Sequence, residues 1–129
     1  MLAVDTNVVV RYLTADDAKQ FAVANSLVGR EDLYIFSTVL LETEWVLRSV
    51  YRYGRARRIE ALRAFAGLPR IIIEDPVTAA RAFDWAELGM DFADALHLAK
   101  AESCEAFISF DQRLQAVANR IGQAKVRAP

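Results

Sequence analysis

Leu33-Tyr34-Ile35-Phe36-Ser37-Thr38-Val39-Leu40-Leu41-Glu42 decides the fold class. Its first four residues are β-rich and read as a strand. Ser37 is a helix-capping type, and the residues behind it predict a long helix through about Tyr53. A strand passing directly into a helix is half of a parallel crossover unit, and the chain repeats that pattern on either side. Upstream, Leu2-Ala3-Val4 is a short apolar strand ending at Asp5. A short helix follows over Val8–Leu13, then one capped by Asp16 or Asp17 that runs to about Val28 and stops at Gly29. Downstream, Gly54 breaks the chain, and Arg55–Ala66 forms a helix ended by Gly67 and Pro69. Ile71-Ile72-Ile73 is a buried strand. Pro76 opens a helix to about Leu88, and Asp91 opens one to about Glu102. Ala106–Ser109 is a fourth strand, Gln112–Asn119 a helix, and Ala124–Arg127 a last edge strand. This alternation predicts an α/β fold, a parallel sheet covered by helices on both faces. Ligand sites in such sheets lie outside the carboxyl ends of the strands.

The 129 residues fit one domain, residues 1–129. Hydrophobic residues at 54% and charged residues at 26% exclude a disordered chain. No apolar run approaches the roughly 20 residues needed to span a bilayer. Asp5 interrupts the apolar core that a signal peptide needs, and Cys104, the only cysteine, excludes an internal disulfide and a cysteine zinc cluster. A cytoplasmic location without membrane attachment is the expectation. Net charge is −1, yet Arg48, Arg52, Arg55, Arg57, Arg58 and Arg63 face only Glu60 in their window, a local +5 with Tyr51 and Tyr53 inside it. Arginine interleaved with tyrosine suits phosphate and base contacts, and equally fits a solvated helix face.

The expected ends of the first and fourth strands carry Asp5 and Asp111. Each has a local alternative, an Asx turn for Asp5 and a helix cap for Asp111. On the helix from Ser37, Glu42 has Thr38, Val39, Trp45 and Val46 as one-turn neighbours and no basic partner. A carboxylate on an apolar face is costly unless something neutralises it, which singles out Glu42. Glu44 has Arg48 four residues on, and a surface ion pair accounts for it. Asp91 reads as an N-cap. Asp94 lies on a helix apolar nearly all round, so it is expected to look into a cleft. His97, one turn on, reads as a core or rim residue or as an imidazole ligand. Four carboxylates at one rim need a divalent cation, and all-oxygen ligands favour Mg²⁺ or Mn²⁺.

Asp5-Thr6-Asn7-Val8, Ser37-Thr38-Val39-Leu40-Leu41-Glu42, Asp94-Ala95-Leu96-His97-Leu98-Ala99 and Ser109-Phe110-Asp111, in this order, resemble the PIN-domain ribonucleases. More narrowly they resemble the VapC toxins of bacterial toxin–antitoxin pairs, over nearly the whole chain. The resemblance implies a three-layer α/β/α sandwich with a mainly parallel central sheet. It also implies a Mg²⁺- or Mn²⁺-dependent endoribonuclease in which Asp5, Glu42, Asp94 and Asp111 are the acidic quartet, both catalytic and metal-binding. Asn7 matches a position that supports the first aspartate by hydrogen bonding, with Thr6 beside it, and Ser109 supplies a hydroxyl near the metal waters. The partners implied are a cognate antitoxin, an RNA substrate and a second copy of the chain in a homodimer, with operator DNA contacted only through the antitoxin. Arg55, Arg57 and Arg58 are the candidate RNA-backbone contacts.

Two other readings compete. A phosphoacceptor domain also gathers acids at strand ends, but it needs paired acids at the first strand, a central phosphoacceptor aspartate and a lysine after the last strand; here Ile73 leads into Glu74-Asp75-Pro76, and no lysine directly follows Ser109. A catalytically silent PIN-like module that binds RNA or protein would keep the fold without the chemistry. Nuclease assays with Mg²⁺ and with EDTA separate it from the enzyme.

Overall fold

The computed structural model describes residues 1–123 and 125–129. Ala124, the expected start of the last strand, lies outside the described residues. The fold is mixed α/β with parallel strands. The elements are β1 (Leu2–Ala3), α1 (Thr6–Thr14), α2 (Ala18–Arg30), β2 (Leu33–Ile35), α3 (Ser37–Ser49), α4 (Arg55–Ala66), β3 (Ile71–Ile73), α5 (Pro76–Glu87), α6 (Phe92–Lys100), β4 (Phe107–Ile108), α7 (Gln112–Arg120) and β5 (Val126–Arg127). They form two compact units, Met1–Pro76 and Val77–Pro129.

In the first unit β2 is central. It pairs in parallel with β1 (Leu2 opposite Leu33) and with β3 (Leu33 opposite Ile71). Leu33 and Ile35 are fully buried, together with Leu40 and Leu47 of α3 and Leu62 of α4. The strand expected to be buried throughout, Ile71–Ile73, is not: successive side chains point to opposite faces, so Ile71 and Ile73 are buried while Ile72 is 38% exposed. In the second unit β4 and β5 pair in parallel, Phe107 opposite Val126. The strands thus fall into two hydrogen-bonded sheets where a single sheet is expected. The Phe107 and Ser109 amides both donate to the β5 side, to Lys125 and Arg127 carbonyls. Phe83 of α5 stacks on Phe92 of α6, ring centroids 5.5 Å apart, over a core of small side chains that includes Ala82, Ala95 and Ala118.

Helix boundaries depart from expectation by a residue or more at several ends, three of which bear on the packing. Ser37 is not the cap of α3. Phe36 holds that position without a side-chain bond, and the Ser37 amide donates instead to Glu74 Oε1 at 2.9 Å, a cap supplied by the residue after β3. α3 ends at Ser49 rather than Tyr53, since Arg52 takes a left-handed conformation with φ 57°. α2 continues through Gly29 to Arg30. Its cap is Asp17, which accepts the Gln20 amide at 3.0 Å.

Candidate active site

Asp5 follows β1 and caps α1, with its Oδ1 accepting the Thr6 amide at 2.8 Å. Glu42 projects from the second turn of α3. Both line one cleft of about 430 Å³ in the first unit, with Thr6, Asn7, Arg11 and Tyr51. Asn7 is therefore beside Asp5, while the donor to the Asp5 carboxylate is the Thr6 amide. The cation of this cleft is already engaged. Arg11 Nη1 reaches Asp16 Oδ1 at 3.1 Å and the Tyr51 hydroxyl at 3.1 Å, and its Nε donates to Gln20 Oε1 at 2.6 Å. The Tyr51 hydroxyl donates to Asp16 Oδ2 at 2.5 Å, and this bond is the main cause holding the Asp16 carboxyl below the usual carboxylate range. Among the described residues no ion pair reaches Asp5 or Glu42.

The second unit holds a second acidic cleft, of about 320 Å³, lined by Asp91, Asp94, Asp111, Arg113, Gly89 and Met90 among others. Asp91 caps α6 and accepts the Asp94 amide at 3.2 Å. Asp111 caps α7 and accepts the Leu114 amide at 3.0 Å, while its own amide donates to Ser109 Oγ at 3.0 Å. Ser109 is fixed in turn by Gln115 Nε2 on its carbonyl at 2.9 Å and by its amide on Arg127. Asp94 is half-buried. Burial, and after it the charges of Asp91 and Asp111, push its carboxyl above the usual range, with His97 opposing. His97 itself is exposed on α6. Capping and cleft lining are thus not alternatives: Asp5, Asp91 and Asp111 do both.

Three expectations are corrected. Glu44 is not a surface residue, for it is 1% exposed. Its Oε1 accepts from Arg58 Nε at 3.0 Å, and the Arg48 predicted from spacing lies farther off, at 3.8 Å. Glu42, expected to need neutralising on an apolar face, is instead the exposed one. Arg58 is not a solvent-facing contact for a ligand. It is tied to Glu44, and its Nη1 donates to the Tyr53 carbonyl at 2.7 Å. Sequence reasoning also missed Arg11 and Arg113 as cleft residues. Arg113, two residues after Asp111, carried the only signal available, its closeness in sequence.

A divalent ion suits such clefts in donor chemistry, since every candidate ligand is a carboxylate or hydroxyl oxygen. The Asp94 carboxyl is raised chiefly by burial and then by Asp91 and Asp111, with His97 opposing, so negative charge gathers in its cleft. Among the described residues no three or more His, Cys, Asp or Glu side chains group closely enough to enclose a metal. Mg²⁺ does not need enclosure, because it keeps several waters and binds through one or two carboxylates.

The PIN domain family model matches residues 2–120. No curated protein matches the chain. Among solved structures, the chain is similar to VapC20 of Mycobacterium tuberculosis, described as a sarcin-ricin loop cleaving toxin. Identity is 20%, the match covers 90% of this chain and 94% of that one, and the TM-score is 0.43.

Proposed function

This chain belongs to the PIN domain family, and from that premise we propose that it is a Mg²⁺- or Mn²⁺-dependent endoribonuclease of the VapC toxin type, restrained by a cognate antitoxin. The observation carrying this reading is the pairing of acids in clefts: Asp5 with Glu42 in one unit, and Asp94 with Asp111 in the other. Within each cleft the paired carboxylates, Asp5 with Glu42 and Asp94 with Asp111, would offer oxygen ligands to a divalent cation. A divalent cation bound there supplies Lewis acidity toward a phosphate oxygen and lowers the pKa of water. The chain's own contribution is orientation. The Thr6 amide fixes Asp5, the Leu114 amide fixes Asp111, and the Asp111 amide holds the Ser109 hydroxyl beside it. Arg113 lines the second cleft, where it suits an RNA phosphate. Asn7 beside Asp5 is proposed to support it once substrate is present. Homodimerisation, a cytoplasmic location and operator contact through the antitoxin alone belong to the same proposal. For membranes the structure adds that, among the described residues, no helix is long and apolar enough to cross one.

The test is cleavage of structured RNA by the pure protein with Mg²⁺, Mn²⁺ or EDTA. Expected are metal-dependent products with 5′-phosphate and 3′-hydroxyl ends. Cleavage that survives EDTA, or 2′,3′-cyclic phosphate ends, overturns the proposal. The lack of a three-ligand group among the described residues favours one second reading, a catalytically silent RNA- or protein-binding module. RNA binding without cleavage under any metal would select it.

A further inference from the structure

The segment between α3 and α4 is built with more care than a connector needs. Arg52 takes a left-handed conformation, which turns the chain and lets the Tyr53 amide return to the Leu47 carbonyl at 2.9 Å. The Tyr53 carbonyl is gripped by Arg58 Nη1 at 2.7 Å, and Arg58 is anchored on the buried Glu44. On this fixed backbone the Arg57 guanidinium lies over the Tyr53 ring, 3.7 Å from its centroid. The Tyr51 ring meets Tyr53 edge-on, centroids 6.3 Å apart. Tyr51 is itself held by Asp16 and Arg11, and it lines the cleft that contains Asp5 and Glu42. Arg57 is exposed, so its planar face away from Tyr53 is open to solvent.

We propose that Tyr53 and Arg57 form a stacking platform for one unpaired nucleobase of RNA, beside the Asp5–Glu42 cleft. The proposal rests on the RNA reading above and adds a base subsite to it. A guanidinium stacked on a tyrosine is a flat, cationic, weakly hydrated surface. Unpaired bases stack on such planes whatever their sequence, and the positive charge serves the adjoining phosphate. The rigid anchoring lowers the ordering cost of binding, because the platform is formed before the base arrives.

The experiment compares two single-stranded RNAs of equal length, one with its bases and one fully abasic, binding to the full chain in EDTA. The parent protein is expected to prefer the base-bearing RNA about fivefold or more. Arg57→Lys keeps the charge and loses the plane. It should remove most of that preference while leaving the salt dependence of binding unchanged. Tyr53→Leu should act likewise, and Tyr53→Phe should behave as the parent. Arg57→Gln, at an exposed position, keeps the test alive if Tyr53→Leu unfolds. An unchanged preference in Arg57→Lys and Arg57→Gln overturns the platform, and so does equal binding of both RNAs by the parent, the result expected if this surface serves a protein partner. Neither result touches the cleavage assay. Failure to bind either RNA overturns the platform and the RNA reading together.

Discussion

Two glutamates two positions apart on α3 have opposite fates, and neither their type nor their charge reveals which is which. Glu44 is enclosed and shares an oxygen with Arg58, fourteen residues away in sequence. Glu42 faces the cleft that holds Asp5. Helical spacing offered Arg48 as the partner of Glu44, but it is blind to a cation arriving from the next helix, and so it took the buried pair for a surface one. Removing one member of a buried pair leaves the other charge stranded. Glu44→Ala is therefore expected to destabilise the fold by about 3 kcal/mol, read from urea denaturation. Glu42→Gln should change stability by less than about 0.5 kcal/mol and abolish cleavage. Asp94 gives a prediction of opposite sign. Its carboxyl is raised above the usual range, mainly by burial and then by Asp91 and Asp111, so its ionised form opposes folding. Asp94→Asn should raise, or at least not lower, the melting temperature of the metal-free protein at neutral pH. That advantage should fade as pH falls through the raised value, because the parent's carboxyl is then neutral in the folded state. A role limited to the dipole of α6, whose first turn holds Asp94, predicts a loss of about 0.3–1 kcal/mol at neutral pH instead.

The order and type of elements follow from local sequence because short apolar strands and capped helices carry their signals within a few residues. The departures arise where a distant group decides. Ser37 yields its capping role because Glu74 comes from the end of β3. α3 stops at Ser49, several residues before Gly54, where Arg52 turns left-handed, and Arg58 then holds the Tyr53 carbonyl beyond that turn. Asp5 and Asp111 were legible as strand-end acids because each stands where a strand gives way to the helix it caps. The cleft role of Arg11 was not legible, since its partners Asp16, Gln20 and Tyr51 come from three segments. The turn between α5 and α6 carries a prediction at this scale. Gly89 has φ 118°, and a Cβ there would stand 2.8 Å from Arg120 Nη2, the group that donates to the Leu88 carbonyl at 3.0 Å. Gly89→Ala is expected to cost about 1–3 kcal/mol in backbone strain and to displace Arg120. Because Gly89 and Asp91 line the same cleft, cleavage should fall more steeply than stability. A variant as stable as the parent would show that this turn tolerates a side chain.

At the scale of the whole molecule, the charge map sets two requirements. The chain is near neutral, five of its acids line the two clefts, and six arginines fall between Arg48 and Arg63 around the α3–α4 junction. An acidic cleft repels a polyanion until a cation intervenes, whereas the arginine window attracts one without help. Binding and cleavage should therefore respond differently to metal and to salt. Arg55→Ala with Arg57→Ala should flatten the salt dependence of RNA binding by roughly 0.7 for each phosphate no longer neutralised, and Arg58→Ala should chiefly lower stability, since that residue serves the fold. Metal should act on the other side of the map. At a hundredfold excess over its dissociation constant, Mg²⁺ or Mn²⁺ should stabilise the parent by about 2.7 kcal/mol, and each kcal/mol moves the midpoint by roughly 3–5 °C in a chain of this length. Asp5→Asn and Asp94→Asn, one from each unit, measure where that stabilisation comes from. Each should lose the part of the metal-induced shift that its own cleft supplies and lower cleavage, while binding of RNA in EDTA keeps its salt slope. Were both variants to keep the full shift, Asp5 would serve only as the cap of α1 and Asp94 only as a first-turn acid of α6, and the ion would have to be sought elsewhere on the chain.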